Sequence, residues 1–180
     1  MKFTFTPLEI PGLIEIEHQS IGDARGFFAE IFREEVFRAS GIPLPFLQEN
    51  QSRSPRGVLR GLHYQIAPKA QGKLVRCAGG AIFDVAVDLR KGLKTFGRWI
   101  GRVLSEENRK MLYVPAGCAH GFLALSASAD VLYKTTEYYS PEHERGIRWD
   151  DPELRIAWPE KPTQISPRDA AYPFLKDARL

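Results

Sequence analysis

Short apolar runs broken by turn residues dominate this chain, and a helical period is almost nowhere sustained. Leu13–Glu17 and Phe27–Phe32 read as strands, separated by Gly22-Asp23 and Gly26. Glu34–Ser40, stopped by Gly41 and Pro43, is the best helix segment. Strand-like runs follow at Phe46–Gln48, Val58–Tyr64, Leu74–Ala78, Ala81–Leu89, Phe96–Leu104, Met111–Val114, Phe122–Leu125 and Val131–Thr136. Gly79-Gly80 predicts a hairpin between two of these runs, and Ser105–Asn108 a tight turn. From Ser140 onward the chain is rich in Pro and charge, carries Trp149 and Trp158, and reads as an irregular wrap with a short helix or two. Many short strands with little helix predict an all-β sandwich or barrel.

Size and composition narrow the picture. The 180 residues suit one domain spanning 1–180, large enough to bury roughly 70% of its unfolded surface. A net charge of +3, with no run of five or six basic residues, argues against nucleic acid as a partner. Arg53, Arg56, Arg60, Lys69, Lys73 and Arg76 do crowd one stretch, which fits either a solvated basic face or a phosphate site. Cys77 and Cys118 belong to no CxxC pair and read as reduced, partly buried thiols of a cytoplasmic protein. The N-terminus lacks the apolar segment of a signal peptide, and no stretch has the apolar length of a membrane helix.

Two of the four histidines lie in apolar, glycine-containing strands: His63 in Arg60-Gly61-Leu62-His63-Tyr64-Gln65, and His120 in Pro115-Ala116-Gly117-Cys118-Ala119-His120. One such histidine is more often structural than catalytic; two shift the balance toward a site. The PxGxxH segment resembles the second motif of the cupin barrels. Metal-binding cupins carry HxH in their first motif, where this chain has His63-Tyr64-Gln65. A divalent site wants three or more converging ligands, so no metal and no other cofactor is expected.

Taken together, the ordered segments are far more specific. They are Asp23–Glu30, Gln48-Glu49-Asn50, Gly57–Gln65, Gln71–Val75, Phe83–Arg90, Ala119–Phe122, Tyr133-Lys134, Gly146–Pro152 and Ser166–Asp169. In order and spacing they resemble the dTDP-4-dehydrorhamnose 3,5-epimerase family, over about Ile14 to Asp169. The resemblance implies a cupin-like jelly-roll β-barrel with a few short helices. It also implies inversion of C3 and C5 of dTDP-4-keto-6-deoxy-D-glucose, giving dTDP-4-keto-L-rhamnose through an enolate.

The same resemblance assigns roles. His63 matches the base, Asp169 the carboxylate that orients it, Tyr133 the proton donor, and Lys73 the cation near the C4 oxygen. Arg25, Arg60 and Arg168 match diphosphate contacts, Arg168 standing where the family commonly has Lys. Gln48 and Asn50 match nucleotide contacts, Phe28 and Tyr139 aromatic contacts, and Glu30, Glu49, His120 and Glu144 further ligand contacts. Part of the nucleotide pocket comes from the partner subunit in this family, which implies a homodimer. Cys118 replaces a bulkier residue ahead of Ala119-His120 and alters packing there.

Strict strand alternation puts Arg60 and His63 on opposite faces. Both face one ligand only if the strand is irregular, and Gly61 is where a bulge fits; alternatively, Arg60 reaches the ligand from an edge. Three other readings compete. They are a single-centre epimerase or ketoisomerase, a metal-dependent cupin oxygenase, and a sugar-binding barrel without catalysis.

Overall fold

The computed structural model describes residues 2–180. The strands are β1 (Phe3–Pro7), β2 (Ile14–His18), β3 (Ser20–Asp23), β4 (Gly26–Ala29), β5 (Gln48–Pro55), β6 (Val58–Gln65) and β7 (Lys73–Gly79). They continue as β8 (Ala81–Asp88), β9 (Trp99–Ser105), β10 (Met111–Val114), β11 (Cys118–Ala124), β12 (Ser128–Thr135), β13 (Glu144–Gly146) and β14 (Gln164–Ile165). Helix α1 spans Glu34–Ala39 and α2 spans Pro167–Ala170.

One sheet runs β1-β2-β10-β7-β12-β5; the other runs β13-β6-β11-β8-β9, with β14 also on β6. Alternation decides which side chains lie between them. From the first sheet Val75, Cys77, Leu112, Val114, Ala129 and Val131 point inward; from the second Ile82, Ala86, Leu104, Cys118, Phe122 and Ala124 do. The outer face of the first sheet is covered by Phe37 of α1 with Phe3, Phe5 and Phe32. The outer face of the second is covered by the C-terminal segment through Ile147, Leu154 and Leu175. Among the described residues this is an all-β jelly roll with two short α-helices; the strand pattern predicts the all-β class, and the family resemblance the jelly roll.

Three local expectations change. Gly79-Gly80 forms no hairpin, because β7 and β8 lie in different sheets. It is a corner: Gly80 has φ +71, and a Cβ there would sit 2.0 Å from the Ser128 carbonyl oxygen. The strand ending at Gln48 in the sequence reading instead begins there and runs to Pro55, an edge strand whose solvent face is polar. The C-terminal wrap adds β13 and β14, both on β6.

The ladder between β6 and β11 is irregular. His120 pairs with His63 and Phe122 with Arg60, so a step of three residues on β6 opposes a step of two on β11. Directly paired residues share a face of the sheet. Arg60 and His63 therefore share a face with His120 and Phe122, as a bulge at Gly61 requires. Gly61 has φ +128, and a Cβ on it would lie 2.5 Å from the Cα of Gly121. Only glycine fits this crossing.

Candidate active site

At one end of the sandwich the apolar filling gives way to a polar cavity of about 190 Å³. The first sheet contributes Gln48 and Asn50 from β5, Tyr133 from β12 and Lys73 from β7; the second contributes His63 and Gln65 from β6 and Glu144 from β13. Tyr139 closes one side. Inward-facing positions of opposing strands thus bring residues far apart in sequence to one pocket.

His63 Nε2 lies 2.8 Å from Asp169 Oδ1. Asp169 is 4% exposed, and its other oxygen accepts the Gly61 N–H at 3.2 Å. Burial acts to raise its pKa, but the bond and charge of His63 and the Gly61 amide hold the carboxyl below its ordinary range. An ionised Asp169 accepts from His63, so Nε2 carries the ring proton and Nδ1 keeps a lone pair. Short α2 delivers Asp169, with the Ser166 hydroxyl accepting its N–H at 3.0 Å as a helix cap. β14 pairs with the start of β6 just before α2, which fixes the approach.

Lys73 is 7% exposed and donates from Nζ to the His63 carbonyl at 3.2 Å. Burial pushes its pKa down to about 8, against the pull of Glu144 and Asp84. Tyr133 stands on the opposite sheet from His63, and burial, with Glu144 next, holds its phenol above the usual range. It is a protonated acid at neutral pH. Glu144 accepts from the Tyr139 hydroxyl at 2.6 Å and pairs with Arg168. Burial acts to raise Glu144, and these two donors outweigh it.

A second cavity of about 560 Å³ opens on the other side of His63, lined by Arg60, Arg168 and Asp169 among others. Arg60 donates to the Ser54 hydroxyl at 3.0 Å and is exposed. His120 lines neither cavity: it pairs with His63 in the β6-β11 ladder and is 6% exposed, with Nε2 2.7 Å from Asp84 Oδ1. Asp84 is fully buried and was not singled out from sequence; only its place on an inward-facing strand position signals it.

The remaining candidates separate. Arg25 sits on the β3-β4 hairpin with its guanidinium on Asp23, beside the exposed Phe28. Neither lines the His63 cavities. Glu30 pairs with Arg33, and Glu49 with Lys134. The basic stretch also splits: Arg53 pairs with Asp130, Arg56 with Glu160 and Lys69 with Glu137 on the surface, Arg76 lines a separate cavity with His18 and Arg109, and Arg60 and Lys73 stand at the site. Gln65 uses its side chain as a strap, donating to the Lys69 and Tyr138 carbonyls and accepting from the Ser140 N–H. Cys118 is packed in the core, where burial pushes its thiol up to about 12, so it is inert at neutral pH.

Comparison with known proteins agrees with this geometry. A family model described as dTDP-4-dehydrorhamnose 3,5-epimerase matches residues 7–177. A curated relative of that name from Pseudomonas aeruginosa is 57% identical over 155 residues, covering 86% of this chain and 85% of its own length. The crystal structure of a dTDP-6-deoxy-D-glucose-3,5-epimerase from Legionella pneumophila, in complex with dTDP-4-keto-L-rhamnose, superposes with a TM-score of 0.94 at 48% identity. That match covers 97% of this chain and 94% of the other. A 3'-monoepimerase from Streptomyces bikiniensis, in complex with dTDP-quinovose, is also similar: TM-score 0.90, 39% identity, 94% of this chain and 87% of that one. The chain belongs to the dTDP-4-dehydrorhamnose 3,5-epimerase family.

Proposed function

We propose that this chain inverts C3 and C5 of dTDP-4-keto-6-deoxy-D-glucose, giving dTDP-4-keto-L-rhamnose. One observation carries the reading. An imidazole held by a buried carboxylate lies on one sheet, and a protonated phenol lies on the other, across a single cavity. Inversion next to a ketone needs this arrangement: a base on one face of the sugar and an acid on the opposite face.

His63 Nδ1 removes the proton from C3 or C5. Asp169 holds the ring and stabilises the imidazolium that forms. The electron pair moves onto the C4 oxygen, where the Lys73 ammonium and its low-dielectric surroundings favour the enolate. Tyr133 returns a proton from the other face. Side chains supply every step, and no cofactor enters. Arg60 and Arg168 line the second cavity and hold the diphosphate by forked hydrogen bonds. Arg168 leaves its partner Glu144 to do so. Gln48, Asn50, Tyr139 and Glu144 hold the rest of the substrate, with His120 opposite His63 in the ladder.

Residues 1–180 act as one domain within a homodimer. Arg25, Phe28 and Glu30 of one copy complete the nucleotide site of the other, since none of them lines a His63 cavity of its own chain. The free thiols Cys77 and Cys118 fit a reducing compartment, the cytoplasm. The similarity to a 3'-monoepimerase favours inversion at C3 alone as the second reading.

Supplying dTDP-4-keto-6-deoxy-D-glucose together with a 4-ketoreductase and NADPH, and solving the product by NMR, separates the two. L-rhamno product from the wild type and none from His63→Ala is the expected result. Product inverted only at C3 establishes the second reading, and unchanged sugar overturns both.

A further inference from the structure

Asp169 anchors the base through one nitrogen only. A single hydrogen bond at Nε2 leaves the imidazole free to twist about that bond and swing Nδ1 away from the substrate. Something else must fix the plane of the ring. Tyr172, three residues beyond Asp169, packs against it edge to face, with ring centroids 5.7 Å apart and planes at 73°. That packing depends on a bare backbone. Gly146 lies opposite His63 in the β13-β6 ladder, and a Cβ on it would fall 2.3–2.6 Å from the Tyr172 ring carbons. The Arg168 guanidinium carbon sits 5.8 Å over the same ring.

The phenol contributes little else. Its hydroxyl is buried beside Arg168, whose guanidinium is taken by Glu144. Burial chiefly, then Glu144, pushes its pKa up to about 12, so it stays neutral. What it offers is an aromatic wall.

We propose that Tyr172 is a positioning residue for His63: its ring, seated on Gly146, fixes the imidazole plane and keeps water off the His63–Asp169 hydrogen bond. The proposal rests on His63 being the base, as read above. Side chains that misplace a catalytic group by about 1 Å cost up to ~10²-fold in rate.

The test uses the full-length enzyme, in Tyr172→Ala, Tyr172→Leu and Tyr172→Phe forms. Steady-state kinetics are followed beside the downfield NMR resonance of the His63 Nε2 proton. We expect Tyr172→Ala to lower kcat by ~10- to 100-fold with KM changed far less. We also expect its imidazole resonance to broaden through exchange with water. Tyr172→Phe, which keeps the ring, rescues both readouts. Tyr172→Leu fills the slot if the alanine variant does not fold, and it too loses kcat. Gly146→Ala reproduces the loss in the wild type and adds nothing in Tyr172→Ala, because both act on one contact.

Wild-type kcat and a sharp resonance in Tyr172→Ala or Tyr172→Leu would overturn the proposal. Failure of the base assignment looks different. His63→Ala then keeps turnover, or the wild type shows none, while the resonance still reports whether Tyr172 orders the ring.

Discussion

In the proposed reaction His63, Lys73 and Tyr133 divide the work, and each division can be measured. A positioned general base contributes typically 10²–10⁴-fold, so His63→Ala should lower kcat by about that factor with dTDP affinity little changed. Unchanged turnover would remove His63 from the mechanism. Lys73 must be charged to stabilise an enolate, and its pKa is pushed down to about 8 by burial. The charged fraction falls as pH rises through that value, so kcat should fall on an alkaline limb near pH 8. Lys73→Met should cost ~10²–10³-fold in kcat, the scale of losing one stabiliser of developing negative charge. The folded protein binds this proton less tightly than the unfolded chain, for which 10.5 is the reference. The gap corresponds to about 3 kcal/mol of destabilisation at pH 7. Lys73→Met should therefore raise the urea midpoint while removing activity; a lowered midpoint contradicts this account of Lys73. Tyr133→Phe keeps the ring and removes the acid. It should still wash solvent deuterium into the substrate while forming little inverted product, and undiminished inversion reassigns the acid.

At the level of elements, Gly61 decides whether Arg60 and His63 serve one ligand. Its φ is +128, and a Cβ added to it would fall 2.5 Å from the Cα of Gly121, so there is no room for a side chain. Gly61→Ala should cost roughly 1–3 kcal/mol by urea unfolding, the range for strain added at a special backbone conformation. A variant of wild-type stability means the crossing relaxes easily and the bulge is not essential. The sequence pattern anticipated a bulge at Gly61, because alternation alone could not reconcile the two side chains. Most strands were legible as short apolar runs between turn residues: on β7 and β8 both faces are covered, Val75, Cys77, Ile82 and Ala86 on the inner side and Leu74, Val85 and Val87 on the outer. What escaped was set by tertiary context. β5 reads Gln48–Pro55 with hardly an apolar residue, and its pairing with β12 rather than its composition makes it a strand. Gly79-Gly80 carries a hairpin signature but turns a corner between sheets. The candidate site was legible through its ordered motifs. Asp84 and Tyr172 were not assigned there, since each touches a histidine, His120 and His63, that only the fold brings to it.

At the scale of the whole molecule, the β3-β4 hairpin raises the question of assembly. Ile21, Phe27 and Phe28 on it are 58%, 61% and 69% exposed, an apolar surface that a second copy would cover. If Arg25 serves the partner's site, mixing inactive His63→Ala with inactive Arg25→Ala should restore activity, because one site in each mixed dimer then holds both native residues. No recovery on mixing would place Arg25 in its own chain's site or outside any site. The central claim, proton removal and opposite-face return at both carbons flanking the ketone, has a more direct test. The enzyme is incubated with dTDP-4-keto-6-deoxy-D-glucose in D₂O, and the sugar is read by proton NMR and mass spectrometry. The account predicts deuterium at C3 and at C5, with both centres inverted. Deuterium at one carbon only, or none from a folded and dimeric protein, would contradict it.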